Sequence, residues 1–286
     1  MWVEFGQTLL RRMRGQTLGW SIGLGLYALM MLAFYPTVLE MDLQLHMDFL
    51  PDELLAFFDT IAIIGTPQGY LDTYFFNYMP IILGILVAGM GASLIVADEE
   101  RGTLDLILAH PISRMALLGG RLLAFATVLA VIMGVSWLAW TLPAGQFGMD
   151  LTWIEFLLPF IGLFVVLLLF GSLALLLSML LPSSRMAGMV TGTLAVGNYL
   201  LNGLANLDER LEPVVRFTPL HYYQGGMAVE GLNWGWVAGQ VAVTVVLIVA
   251  AMALFQQREI RVGGEQSWRW PKLTRLVRRA PVEQAE

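Results

Sequence analysis

Side chains able to do covalent chemistry are sparse in this chain of 286 residues, and the few present stand apart. The three histidines, His46, His110 and His221, are far from one another and read as polar residues of loops and a surface helix. There is no cysteine, so neither a disulfide framework nor a thiolate metal site is available, and the redox compartment cannot be read from that absence. No G-x-x-x-x-G-K-[ST] nucleotide cradle, H-E-x-x-H or G-x-S-x-G occurs. Glu40, Asp42, Asp48, Asp52, Glu53, Asp59 and Asp72 are scattered without ligand spacing and read as solvated rather than as a cation site. No carboxylate or base stands in the middle of a long apolar stretch; Glu155 and Arg121 lie near stretch ends. Ion-coupled transporters commonly place a proton or sodium relay at such mid-stretch positions, so none is expected here.

Three patterns carry more information. The first is Ala97-Asp98-Glu99-Glu100-Arg101-Gly102-Thr103-Leu104-Asp105, continuing to His110-Pro111-Ile112-Ser113-Arg114. Gly102 breaks the incoming helix, Thr103 is placed to cap a short helix running to about His110, Pro111 stops it, and Ser113 can cap the next element. Leu104, Ile107 and Leu108 share one face of that helix and Asp105 lies on another. Flanked by charges, it is placed to dock on something soluble; the alternative is a turn serving topology alone. The second is a small and polar stripe, Gly188, Thr191, Ala195, Asn198, Asn202 and Asn206, at steps of three or four residues. Asparagine is costly against lipid, so this face points to protein or water, either as glue between helices or as lining for a pathway. The third is Gly15, Gly19 and Gly23, with Gly25 nearby, at the spacing that lets helix backbones approach closely within a protomer or across a dimer.

The elements that hold these patterns are membrane helices. Residues are 57% hydrophobic and only 13% charged, with a mean hydropathy of +0.70, whereas a soluble domain is typically about a quarter charged. Long continuous apolar stretches exclude a barrel, and helices then satisfy the backbone in lipid. Six are read, at roughly 17–35, 73–97, 115–141, 153–181, 186–206 and 233–255. The first is too long for a cleavable signal peptide and leads into an acidic loop. Of the 16 Lys and Arg residues, only Arg210 and Arg216 fall on the side opposite the rest, which the positive-inside rule makes cytoplasmic. Both termini are then cytoplasmic. The net charge of −6 is an acidic outside plus a basic inside and points to no nucleic acid.

The fold class is thus an all-α integral membrane protein, one transmembrane domain over residues 1–286. Residues 1–16, with Trp2, Phe5, Leu9 and Met13 at helical spacing, read as an interfacial amphipathic helix, with a plain extension of the first span as the alternative. The bundle occupies 17–255, with the short helix between spans two and three. Residues 256–286 form a basic tail suited to anionic lipid. Pro51-Asp52-Glu53 starts a short surface helix.

The sequence resembles the permease subunits of bacterial ABC exporters of the type-2 class. The resemblance rests on Glu99 to Asp105, on Pro111-Ile112-Ser113-Arg114, and on Gly120-Arg121-Leu122-Leu123-Ala124, where family members more often carry Lys than Arg121. Leu50-Pro51 to Phe58, Thr66-Pro67-Gln68-Gly69-Tyr70-Leu71 and Thr218-Pro219-Leu220-His221-Tyr222-Tyr223 match more weakly. What it implies is a pair of permease protomers, homodimeric or heterodimeric, assembled in a prokaryotic cytoplasmic membrane with two separate ABC ATPase subunits. ATP and magnesium would bind in those partners, and this chain would hold no cofactor and no catalytic residue. Glu99, Glu100, Arg101, Gly102, Thr103, Leu104, Asp105, Pro111 and Arg114 would belong to the element that couples to the ATPase. Thr191, Asn198, Asn202 and Asn206 would line part of the pathway between protomers. Two other classes stand beside this one: a non-transporting scaffold or sensor that recruits an ATPase, and an intramembrane enzyme, which would need a nucleophile and base that are not seen. Uncharged spans favour an amphipathic drug, lipid or peptide as substrate over a strongly ionic one.

Overall fold

A computed structural model describes residues 2–40, 51–57, 63–110 and 112–258, and the described chain is helical throughout, with no strand. In chain order the helices are α1 (Trp2–Glu40), α2 (Asp52–Phe57), α3 (Pro67–Leu71), α4 (Met79–Ser93), α5 (Val96–Glu100), α6 (Leu104–Leu108), α7 (Arg114–Thr141), α8 (Trp153–Leu180), α9 (Ser184–Ala205), α10 (Glu212–Val215) and α11 (Trp234–Gln257). A π-helical turn, Asp72–Phe76, leads from α3 toward α4.

Helix starts follow the local sequence. Ser113 accepts from the Ala116 N–H, and Ser183 from that of Met186. At α8, Thr152 and Glu155 form a reciprocal capping box. Glu155, a carboxylate near a stretch end in the sequence, is therefore tied to its own helix terminus.

The most apolar helix is central: α8 packs against α4, α7, α9 and α11. Its crossing with α4 is close because both helices present glycine there. A Cβ on Gly91 would fall 2.1 Å from the Gly171 carbonyl oxygen. α1 packs along α7 at the edge of the bundle. Aromatic rings fill the core near the α8 N-terminus, with Phe75 edge-on to Trp140 at 5.6 Å and Phe76 to Phe160 at 5.0 Å between centroids.

The structure departs from the sequence reading in three places. Residues 2–16 and the first span form one continuous helix, with α-helical hydrogen bonding through Gly15 and Gln16 without a break, where the sequence reading set a boundary at residue 16. The second long segment starts earlier than read, at Pro67, and ends at Ser93, with a turn at residues 94–95 before α5. Among the described residues, five helices are long and apolar enough to cross a membrane: Arg11–Glu40, Pro67–Ser93, Arg114–Thr141, Trp153–Leu180 and Trp234–Gln257. α9 has the length, at 22 residues, but its glycines, threonines and asparagines keep it from that group. The residue 256–286 tail lies outside the described residues beyond Arg258.

Candidate functional site

The polar connection between α4 and α7 is built from the end of an apolar helix. Past Ser93 the chain turns into α5, which ends in a Schellman motif. Gly102 takes a left-handed φ of +67°, the Thr103 N–H reaches the Asp98 carbonyl at 2.9 Å and the Gly102 N–H that of Glu99 at 3.0 Å. Gly102 thus ends a helix as its type predicted.

Three consecutive carboxylates on α5 go to different helices. Asp98 pairs with Arg12 of α1 at 3.1 Å and with Arg121 of α7 at 2.7 Å, while Arg101 stands 3.7 Å away. Arg121 also donates to the Leu94 carbonyl, closing the turn above α5. Glu99 pairs with Arg258 at 3.1 Å, both side chains largely buried. The Arg258 guanidinium also donates to the Ser178 and Met179 carbonyls at 3.1 and 3.0 Å, a cation set on the C-terminal turn of α8. Glu100 accepts from the Ser184 N–H and hydroxyl, both at 2.7 Å, an anion set on the N-terminus of α9. At the far end of the connection, Arg114 donates to the Phe255 and Arg258 carbonyls at 2.9 and 2.7 Å and lies 5.7 Å from the Phe255 ring centroid. One segment of about twenty residues therefore ties to α1, α7, α9 and α11, and through Arg258 to α8. Removing one partner of such a buried pair leaves the other charged and costs about 3–5 kcal/mol.

α6 lies outside this node. Leu104 is buried in the core, and Ile107 and Leu108 pack against it. The face outward carries Leu106, 69% exposed, with exposed Arg101, Gly102, Thr103, Ala109 and His110 around it. The helix stops at Leu108, short of His110, and Asp105 is half-buried. Thr103 does not cap it: its hydroxyl donates back to the Asp98 carbonyl at 3.2 Å, serving α5 instead. Pro111 lies outside the described residues. The Ser184 hydroxyl on Glu100 belongs to the start of α9, and no three His, Asp or Glu among the described residues could hold a metal ion. The connection's polar groups are mechanical ties.

Residues 10–260 match the family model described as ABC-2 family transporter protein. The chain belongs to this family. No curated protein matches it. It is an integral membrane permease subunit of an ABC transporter, a component whose family lacks a nucleotide-binding domain of its own and works with an ABC ATPase subunit.

Elsewhere in the permease, the stripe on α9 is engaged inside the protomer. Thr191 and Ala195 are buried, the threonine hydroxyl donating to Ala187. The Asn198 side-chain oxygen accepts from the Leu220 N–H at 3.2 Å, and Asn202 donates to the Asn198 carbonyl at 3.0 Å and to the Thr218 hydroxyl at 3.3 Å. These ties hold the Thr218–Tyr223 segment, whose Pro219 carbonyl also accepts from Gln240 at 2.9 Å. Asn206 is exposed at the end of the helix. Gly15, Gly19 and Gly23 are exposed, and a Cβ at any of them would meet nothing within 4 Å, so this stripe packs on no helix of the same chain among the described residues.

Four functional positions escaped the sequence reading. Asp98, Arg12 and Arg258 are spread along the chain, and no local pattern pairs them with one another or with Arg121. Asp72, read as one of several solvated loop acids, is buried and accepts from the Gly226 N–H at 2.6 Å. Beside it, burial pushes the Tyr223 phenol well above its ordinary pKa, and the Asp72 carboxylate adds to that rise.

Proposed function

We propose that this permease exports an amphipathic or apolar substrate, such as a drug, lipid or peptide, with ATP hydrolysed by a separate ATPase, and that residues 95–114 pass the ATPase's motion to the helices. The observation that carries the reading is the division of this connection: α6 turns Leu106 outward, while the acidic triplet of α5 is tied to helices across the bundle. A partner that displaces α6 acts on α1, α7, α8, α9 and α11 through one short lever. In this reading α9 is a sixth span, polar because it faces protein, and both termini lie in the prokaryotic cytoplasm with the basic residues. Two protomers form the pathway, and ATP and magnesium bind in the partner.

The test is co-expression with the ATPase encoded beside the permease, followed by ATP turnover of the purified complex with and without Leu106→Asp. Co-purification with turnover that falls at least about tenfold is expected, as for loss of an apolar anchor at an interface. Turnover indifferent to the change, or no co-purification of the native pair, contradicts the reading and favours a scaffold without transport. Leu104→Asp is unsuited to this purpose, because Leu104 is buried and its loss reports on folding.

A further inference from the structure

We propose that the permease binds an anionic phospholipid in a slot between α1 and α4, with the phosphate on Arg12 and an acyl chain along Gly89 and Ile85. α1 packs along α7, and beside α4 it leaves a cavity of about 360 Å³. The walls change character along its length. At the end nearest the connection stand Arg12, Gln16, Ser93 and Asp98; further in come Met90, Gly89 and Ile85. Ser93 and Ile85 are eight residues apart on one helix, so the slot runs about 12 Å from its polar mouth. That is the profile of a headgroup above a hydrocarbon chain.

Charge selects the headgroup. Both Asp98 oxygens are already taken, one by Arg12 with Arg101 nearby and the other by Arg121. Three guanidinium groups thus surround one carboxylate, and the Arg12 side chain remains 44% exposed at the mouth. Arg11 and Arg14 are exposed on the same stretch of α1. Basic pockets between spans near the cytoplasmic surface suit anionic lipid headgroups. A second copy of this chain is a poor occupant, because it would bring the same arginines to the same depth. Depth and leaflet rest on the orientation proposed above, but binding itself requires neither the ATPase nor transport.

Gly89 supplies a clean probe, since a Cβ there meets nothing within 4 Å. A leucine at this position is expected to occupy the slot, and Gly89 takes part in none of the ion pairs. The experiment is native mass spectrometry of the purified full chain in neutral detergent, titrated with phosphatidylglycerol or phosphatidylcholine, alongside thermal unfolding. The wild type is expected to prefer phosphatidylglycerol, and Arg12→Gln to lose about fivefold of that preference, the share of one arginine near a membrane surface. Arg12→Lys should keep most of it. Gly89→Leu, melting without lipid as the wild type does, should lose retention of phosphatidylglycerol. Equal retention of both lipids by the wild type, or retention unchanged in Arg12→Gln and Gly89→Leu, overturns the proposal. So does inorganic phosphate at matched concentration stabilising the chain as well as the lipid, which would make this an anion site only.

Discussion

The two ends of the bundle are held together by different physics. At the end carrying residues 94–114, charged side chains tie helices: Asp98 to Arg12 and Arg121, Glu99 to Arg258, Glu100 to the start of α9. At the other end the ties between elements are mostly hydrogen bonds and packed rings, and an ion pair found there, Arg216 with Glu212, is local to one short helix. Tyr70 donates to the Met31 carbonyl at 2.6 Å, Tyr223 to that of Phe76 at 3.1 Å, and aromatic rings fill the space between. A buried acid there, Asp72, accepts from a backbone N–H. Both ends gather ties on one short segment, but only residues 95–114 carry a cluster of ion pairs between distant helices. A force on that segment is therefore distributed to most of the bundle through charged ties, whereas at the opposite end residues 218–230 reach α3, α8, α9 and α11 by packing and by hydrogen bonds, many of them to backbone groups.

The contrast can be broken by substitution. Asp98→Asn should be the most damaging change, removing a charge from between Arg12 and Arg121 and destabilising the permease by about 3–5 kcal/mol, read as a fall in detergent-solubilised melting temperature. Asp72→Asn at the opposite end should cost about 1–2 kcal/mol by the same measurement, because the amide oxygen can still accept from Gly226. If the two changes cost the same, the distinction between the ends fails. Thr152→Ala, which opens the capping box of α8, should cost about 1 kcal/mol. Gly19→Leu should change the melting temperature least, by an amount equivalent to about 0.5 kcal/mol or less, since its Cβ meets open space. A larger loss there, accompanied by a change in oligomeric state on size-exclusion chromatography, would place the stripe in a contact between protomers.

Much of the frame was legible because apolar runs and caps are local signals. Ser113 starts α7 and Gly102 ends α5 as their types predict, and α9 engages Thr191, Asn198 and Asn202 within the protomer while Asn206 is exposed. The continuity of α1 was not legible, because glycines and arginines near residue 15 look the same in an extended helix as at a break. Nor was the node. Arg12 and Asp98 are 86 positions apart, and nothing in a single sequence says which arginine meets which acid. That Leu104, Ile107 and Leu108 share a face was legible, but not that this face meets the core while Leu106 turns outward: a five-residue helix between two turns has too little periodicity to show which side faces the bundle.

The central claim is that α6 is the surface seated on the ATPase, and the absence of cysteine makes it directly testable. Leu106→Cys gives a unique thiol on the outward face of α6, and Phe217→Cys gives one at the opposite end, where Phe217 is 91% exposed. Each would be treated with a short thiol–amine cross-linker in the co-expressed complex. The account predicts a covalent permease–ATPase product from Leu106→Cys and none from Phe217→Cys. A product from Phe217→Cys alone would contradict both the docking surface and the orientation of the helices.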